Sequence, residues 1–224
     1  MSETLAVTAS YKSGEHGVKT LQLFLLLAVL NLLTAFVSSR FVMTREIYYS
    51  LFSSQLETSS IDEIVNVLDK TYRVHLGLIP LILLVKIAFV TLLLQLSFLL
   101  MSIEIGFKNL FRGVALANLV SIVSAATKMV WIKAVPLDKL SFEVLESNPL
   151  ALSNILNSSS YSRAAFTLLN NVNVFEFVWI AVVIVYLKTR ADVQTIDACM
   201  VTILAWAFLL FGQYGLVYYF TQVF

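Results

Sequence analysis

Lys86, Lys128 and Glu176 are the side chains best placed for chemistry, because each stands within or at the edge of a run of otherwise apolar residues. A charge held at mid-bilayer costs at least ~2.5–3.5 kcal/mol on insertion scales, so each needs a counter-charge, water or a route to the interface. Lys86 falls well inside its run, Lys128 in the outer third of another, and Glu176 at the outer start of a third. Two readings follow. In one, Glu176 forms an ion pair with Lys86 or Lys128 and locks their helices together. In the other, the three charges join Gln95, Asn118, Ser121 and Ser124 in a polar pathway for an ion or proton. Asn118, Ser121, Ser124 and Ala125 also recur at three- and four-residue spacing, which suits close helix packing. Gly212 and Gly215 make a weaker small-residue pair.

Signatures of other chemistry do not occur in the chain. It has no His-Glu-x-x-His, no Gly-x-Ser-x-Gly elbow and no glycine-rich phosphate loop. The histidines, His16 and His75, lie in separate segments outside the apolar runs, so no metal site is expected. Cys199 has no histidine beside it in sequence and reads as a structural thiol. The expectation is a non-enzymatic protein without cofactors. Nothing supports nucleotide binding, so a partner would supply the energy for any driven transport.

The elements that must position these residues follow from composition. Of 224 residues, 59% are hydrophobic and only 13% charged, with a mean hydropathy of +0.86. A soluble domain carries about 25% charged residues, so much of this surface must face lipid. The net charge of +1, with no charged tail, argues against nucleic acid as the main partner. A single cysteine allows no intramolecular disulfide.

A membrane-crossing helix needs about 20 mostly apolar residues, and backbone groups in lipid must be satisfied within the segment. The expected fold is therefore all-α: one polytopic transmembrane bundle of about five helices. The spans cover about 21–39, 76–102, 113–135, 172–187 and 198–220. Lys12 and Lys19 ahead of the first apolar run imitate a signal peptide, but the run is long for one and is expected to be a retained helix. Short connections make two antiparallel hairpins, spans 2–3 and spans 4–5. Basic residues near span ends divide almost evenly between the two sides. Those at Lys108, Arg112, Lys188 and Arg190 are concentrated in two tight turns, which favours a cytoplasmic N-terminus.

The remaining connections, 40–75 and 136–171, are long and are expected outside the cytoplasm. Ser60-Ile61-Asp62-Glu63 reads as a capping box, followed by an apolar stripe from Ile61 to Leu68. Phe142–Leu145, and Leu150, Leu152, Ile155 and Leu156 beyond the Asn148-Pro149 break, form two further stripes. These predict short amphipathic helices that either cap the bundle or offer a docking surface. Asn157-Ser158-Ser159 fits a glycosylation sequon.

The residues from 168 to 216 carry a resemblance. A Leu168-Leu169 pair, polar Asn170 and Asn173, then Phe175 and Trp179 lead into span 4 as LLNNVNVFEFVWIAVVIVYLKTRADV, followed after a polar turn by TIDACMVTILAWAFLLFGQYGL. With a second stretch around Phe107-Lys108-Asn109-Leu110, this resembles the Yip1 family of five-helix membrane proteins in its small bacterial form. The resemblance covers residues 76–220. It implies the five-helix topology and a bacterial inner membrane, while the absence of site motifs leads to the expectation of a scaffold or accessory protein acting through the lipid bilayer and other membrane proteins. The Asp-Leu-Tyr-Gly-Pro motif of eukaryotic members is missing, so links to small GTPases and vesicle traffic do not carry over. A small transporter or channel subunit using the intramembrane charges is the alternative.

Overall fold

The computed structural model describes residues 19–52, 56–156 and 162–223. The sequon at Asn157, together with Lys12 and His16, lies outside the described residues. In chain order the helices are α1 (Thr20–Val37), α2 (Arg45–Phe52), α3 (Thr58–Leu100), α4 (Phe107–Ala117), α5 (Leu119–Ala134), α6 (Phe142–Glu146), α7 (Arg163–Asn171), α8 (Val174–Arg190) and α9 (Thr195–Val223). A π turn over Ser38–Val42 extends α1, closed by Met43 N–H donating to the Ser38 carbonyl at 2.9 Å.

The all-α bundle expected from hydropathy is what forms. Four helical stretches are long and apolar enough to cross a membrane: Thr20–Val42, Thr58–Leu100, Phe107–Ala134 and Thr195–Thr221. Only 17–28% of their most apolar windows is buried within the bundle. The rest faces outward, as it must where the surrounding solvent is hydrocarbon. The fifth expected span is α8, whose 17 residues reach only about 26 Å at 1.5 Å per residue, against a hydrocarbon core of about 30 Å. Its buried face of Trp179, Ile180, Val183 and Leu187 belongs to the same core as α1, α3, α4 and α9.

One end of the bundle, here the turn end, carries the tight turns 101–106 and 191–194. The second residue of each turn is a non-glycine with positive φ, Ser102 (59°) and Asp192 (53°). These residues reverse the chain after α3 and α8, and Ile103 N–H closes the first turn on the Phe98 carbonyl at 2.9 Å. This half is tightly packed: Leu94, Phe98, Leu110, Val114 and Leu187 are fully or almost fully buried. The hairpins α3–α4 and α8–α9 are both present.

At the opposite, cap end, the structure departs from the expected loops. The segment before span 2 is the start of α3, a continuous 43-residue helix about 65 Å long. Hydropathy marks where the solvent changes, and the helix continues past that point. Pro80 lies within it, near the change from polar to apolar sequence. The helix begins at Thr58 with Glu57 as N-cap, so Ser60 lies inside its first turn and the expected capping box does not form. The stripe that follows buries Ile61 and Val65 and leaves Val67 and Leu68 exposed.

The stripe over 150–156 is not an amphipathic helix. Only Leu152–Asn154 makes a 3-10 turn, and Leu150, at φ 60°, and Ile155 point outward. The amphipathic helix of this region is α7 instead, capped by Ser162 Oγ accepting from Ala165 N–H at 3.3 Å and packed along α9.

A satellite core of Val42, Ile47, Leu51, Ile132 and Leu140 joins α2 to the ends of α1 and α5. Tyr49 on α2 donates to Asp62 Oδ1 on α3 at 2.7 Å, and this bond to a carboxylate raises the phenol above its ordinary value near 10. A raised native value means the bond's contribution is complete below pH about 10 and is lost as pH rises through the native value. Tyr49→Phe is therefore expected to melt below the wild type at pH 8, with the gap narrowing as pH rises above about 10. Parallel melts across that range check it, and a constant gap would contradict it.

Candidate functional site

The depth of each predicted site residue follows from helix rise. Lys86 precedes the end of α3 at Leu100, and Glu176 the end of α8 at Arg190, by the same stretch of chain that separates Ser121 from the start of α4 at Phe107. All three therefore lie about 21 Å from the turn end, beyond mid-membrane and toward the cap. Asn118, the break between α4 and α5, lies about 5 Å nearer the turn end. It is almost fully buried, and its Nδ2 donates to the Val114 carbonyl at 2.8 Å. This bond satisfies a buried amide where the helix is interrupted.

Above the close-packed half lies a cavity of about 500 Å³ between α1, α3 and α5. Lys86 and Lys128 both line it, with His75 from the same face of α3. Asn31, Thr34, Ser38, Asn118 and Ser121 supply its other polar groups, and residues such as Ile79, Ile82, Leu83, Met129 and Ile132 its apolar walls. Met43 and Leu145 line it at the cap end.

A second, smaller cavity of about 140 Å³ lies behind α5. It is lined by Ser121, Ser124, Asn148, Asn171, Asn173 and Glu176, among others. Ser121 belongs to both, so it is the partition between the lysine side and the carboxylate side. The Asn118–Ala125 stripe thus lines cavities on both sides of α5. Gly212 and Gly215 have nothing within 4 Å of where a Cβ would stand.

Glu176 occupies the first turn of α8, where the helix dipole favours an anion. Its N–H donates to Asn173 Oδ1 at 3.1 Å. Lys86 acts on its carboxylate through space, and the Trp206 indole of α9 lies close enough to donate to it. Lys86 and Glu176 make no contact ion pair among the described residues. Lys128 turns toward the cap instead, donating to the Glu146 carbonyl at 3.4 Å, while the Glu146 carboxylate meets Arg163 at 3.7 Å. The three charges therefore form a layered arrangement, with Lys86 and Lys128 together in the large cavity and Glu176 across the partition. Gln95, near the turn end, lines neither cavity.

Reasoning from sequence did not place His75, which looked extramembranous. The signal was its spacing from Ile79 and Lys86, which puts the three on one face at about one and three helical turns. It becomes readable only once α3 is known to be continuous. Cys199 is partly buried on α9, and no cluster of three or more His, Cys, Asp or Glu side chains suited to a metal occurs among the described residues. No family model, curated protein or solved structure matches this chain.

Proposed function

We propose that this chain is a non-enzymatic multi-pass membrane protein that handles a ligand inside the bilayer, as a subunit of a small transporter or channel. The observation carrying this reading is the cavity of about 500 Å³ that reaches Lys86. A lysine kept about two-thirds of the way across an apolar span is costly to insert. A mostly apolar cavity with basic groups in its wall, open in one half of the bundle and closed by a packed core in the other, gives that cost a use. Kinship with the small bacterial Yip1-like proteins belongs to the same proposal, with an inner-membrane location and a cytoplasmic N-terminus. It is supported by the two helical hairpins and by Asn170 and Asn173 at the approach to α8.

A second reading, a membrane scaffold acting through partner proteins, is favoured by the apolar side chains that the cap turns outward, Phe142, Leu150 and Ile155. Solvent access to Lys86 separates the two. In a Cys199→Ser background, Lys86→Cys is expected to react in intact membranes with a charged, membrane-impermeant thiol reagent, whereas Leu94→Cys in the packed half stays unlabelled. An unreactive Cys at position 86 would remove the support for ligand handling and leave the scaffold reading.

A further inference from the structure

We infer that the large cavity is a binding site for an acidic amphiphile: a carboxylate or phosphate head on a hydrocarbon tail. The inference rests on the reading of this cavity as the working site, and it adds the class of ligand.

The basic groups of the cavity are in excess. Lys86, Lys128 and His75 line it, and among the described residues no aspartate or glutamate does. The two carboxylates that act on the lysines lie elsewhere: Glu176 is behind Ser121 in the smaller cavity, and Glu146 is engaged by Arg163. Among the described residues Lys86 makes no direct hydrogen bond or contact ion pair, and Lys128 has one long bond to a backbone carbonyl. Two lysines that line one cavity present positive charge to it from two helices, and an anion held between them would answer both.

The rest of the wall selects for a tail. Ile79, Ile82 and Leu83 of α3 face Met129 and Ile132 of α5 across the cavity. A small hydrophilic anion would leave these side chains unused, whereas a hydrocarbon chain covers them, and methionine adapts to irregular apolar shapes. Ile82 lines the cavity and is also 49% exposed, so the apolar wall runs out onto the face turned toward lipid. A ligand already dissolved in the bilayer has that route. The volume is within the range of about 300–1,000 Å³ typical of small-molecule sites.

The test uses the full chain, purified in a neutral detergent, with binding followed by native mass spectrometry and by competition. Oleate and dioleoyl phosphatidic acid are the acidic probes, and methyl oleate and inorganic phosphate the controls. At least one acidic probe is expected to bind, methyl oleate and phosphate being markedly weaker. Preference for oleate identifies a free fatty acid as the source, and preference for phosphatidic acid identifies a lipid headgroup. Lys86→Gln and Lys128→Gln are each expected to weaken binding about tenfold, the value of one charge-assisted hydrogen bond. Lys86→Arg is expected to retain binding, which separates lost charge from lost folding.

Equal binding of methyl oleate and oleate would overturn the inference. So would wild-type affinity in both glutamine variants, or phosphate competing as well as phosphatidic acid. If Cys at position 86 is labelled and neither acidic probe binds, the ligand class is wrong and the cavity reading stands. If that Cys is not labelled, the cavity reading fails and this inference with it.

Discussion

Gly113→Val is expected to lower the melting temperature of the detergent-solubilised protein by roughly 5 °C, through a steric clash between α4 and α8. A Cβ placed on Gly113 would stand 2.5 Å from Cδ1 and 2.9 Å from Cε1 of Tyr186. Both are atoms of a rigid ring, so the ring must rotate or the helices must separate. Overpacking of this kind costs about 1–3 kcal/mol, and about 1 kcal/mol shifts the midpoint by about 2–4 °C for a chain of this size. Valine is the informative replacement, because its branched Cβ cannot turn away within a helix. In lipid, helices gain little from the hydrophobic effect against one another and depend on close approach at small residues. Gly113 is one place where this bundle does so. Tyr186→Ala should remove much of the penalty of Gly113→Val, so the two changes will not be additive. Gly212→Ala, in open space, should be neutral or slightly stabilising, because alanine is the better helix former. If Gly113→Val melts with the wild type, or if its cost persists beside Tyr186→Ala, the close packing of α4 on α8 is not what holds this pair together.

The contrast between these glycines shows which parts of the structure were legible in the sequence. Apolar runs identified the membrane-crossing helices because hydrocarbon imposes one requirement, internally satisfied backbone, on every residue of the run. The same logic marked Lys86, Lys128 and Glu176, since a charge there is costly wherever it points. Direction was not legible. Gly113 matters because Tyr186, distant in the chain and on another helix, lies over it, while Gly212 and Gly215, which look more like a packing motif, meet nothing. Lys86, Lys128 and His75 share a cavity only because α3 and α5 pack beside α1. No local pattern encodes that pairing. The loops failed for the opposite reason, being read too locally. Ser60 and Glu63 have capping-box spacing, but a helix that starts at Thr58 absorbs them into its first turns. Leu150–Leu156 has an amphipathic look, but Leu150 at φ 60° turns the chain and the 3-10 turn that follows is too short to present a stripe.

Asn170→Ala is expected to have the largest effect outside the transmembrane core, by unlatching the cap. The Asn170 side chain adds three bonds between two segments that are also joined by Leu152 N–H donating to the Val172 carbonyl at 3.1 Å and Val174 N–H to the Leu150 carbonyl at 3.4 Å. Its Oδ1 accepts from Asn148 N–H at 2.6 Å and from Ser153 Oγ at 3.3 Å. Its Nδ2 donates to the Glu146 carbonyl at 3.0 Å, and its own carbonyl accepts from Asn148 Nδ2 at 3.3 Å. Alanine keeps only the last of these. A polar group left without a partner away from water costs about 1–3 kcal/mol, and the side chain serves three. Partial rescue by water at this half-buried site brings the expected loss to about 3 kcal/mol. Amide exchange over 146–154 should accelerate well beyond that of α9, because the opening is local rather than global. Asn154→Ala, which removes a single exposed bond to the Asn148 carbonyl, should have a much smaller effect. Leu145, which lines the lysine-bearing cavity at the cap end, directly precedes Glu146, so the same variant should speed labelling of a Cys at position 86. Faster exchange without faster labelling would mean that the cap is held by Asn170 but does not control access to the cavity. Unchanged exchange would mean that Asn170 is not the latch.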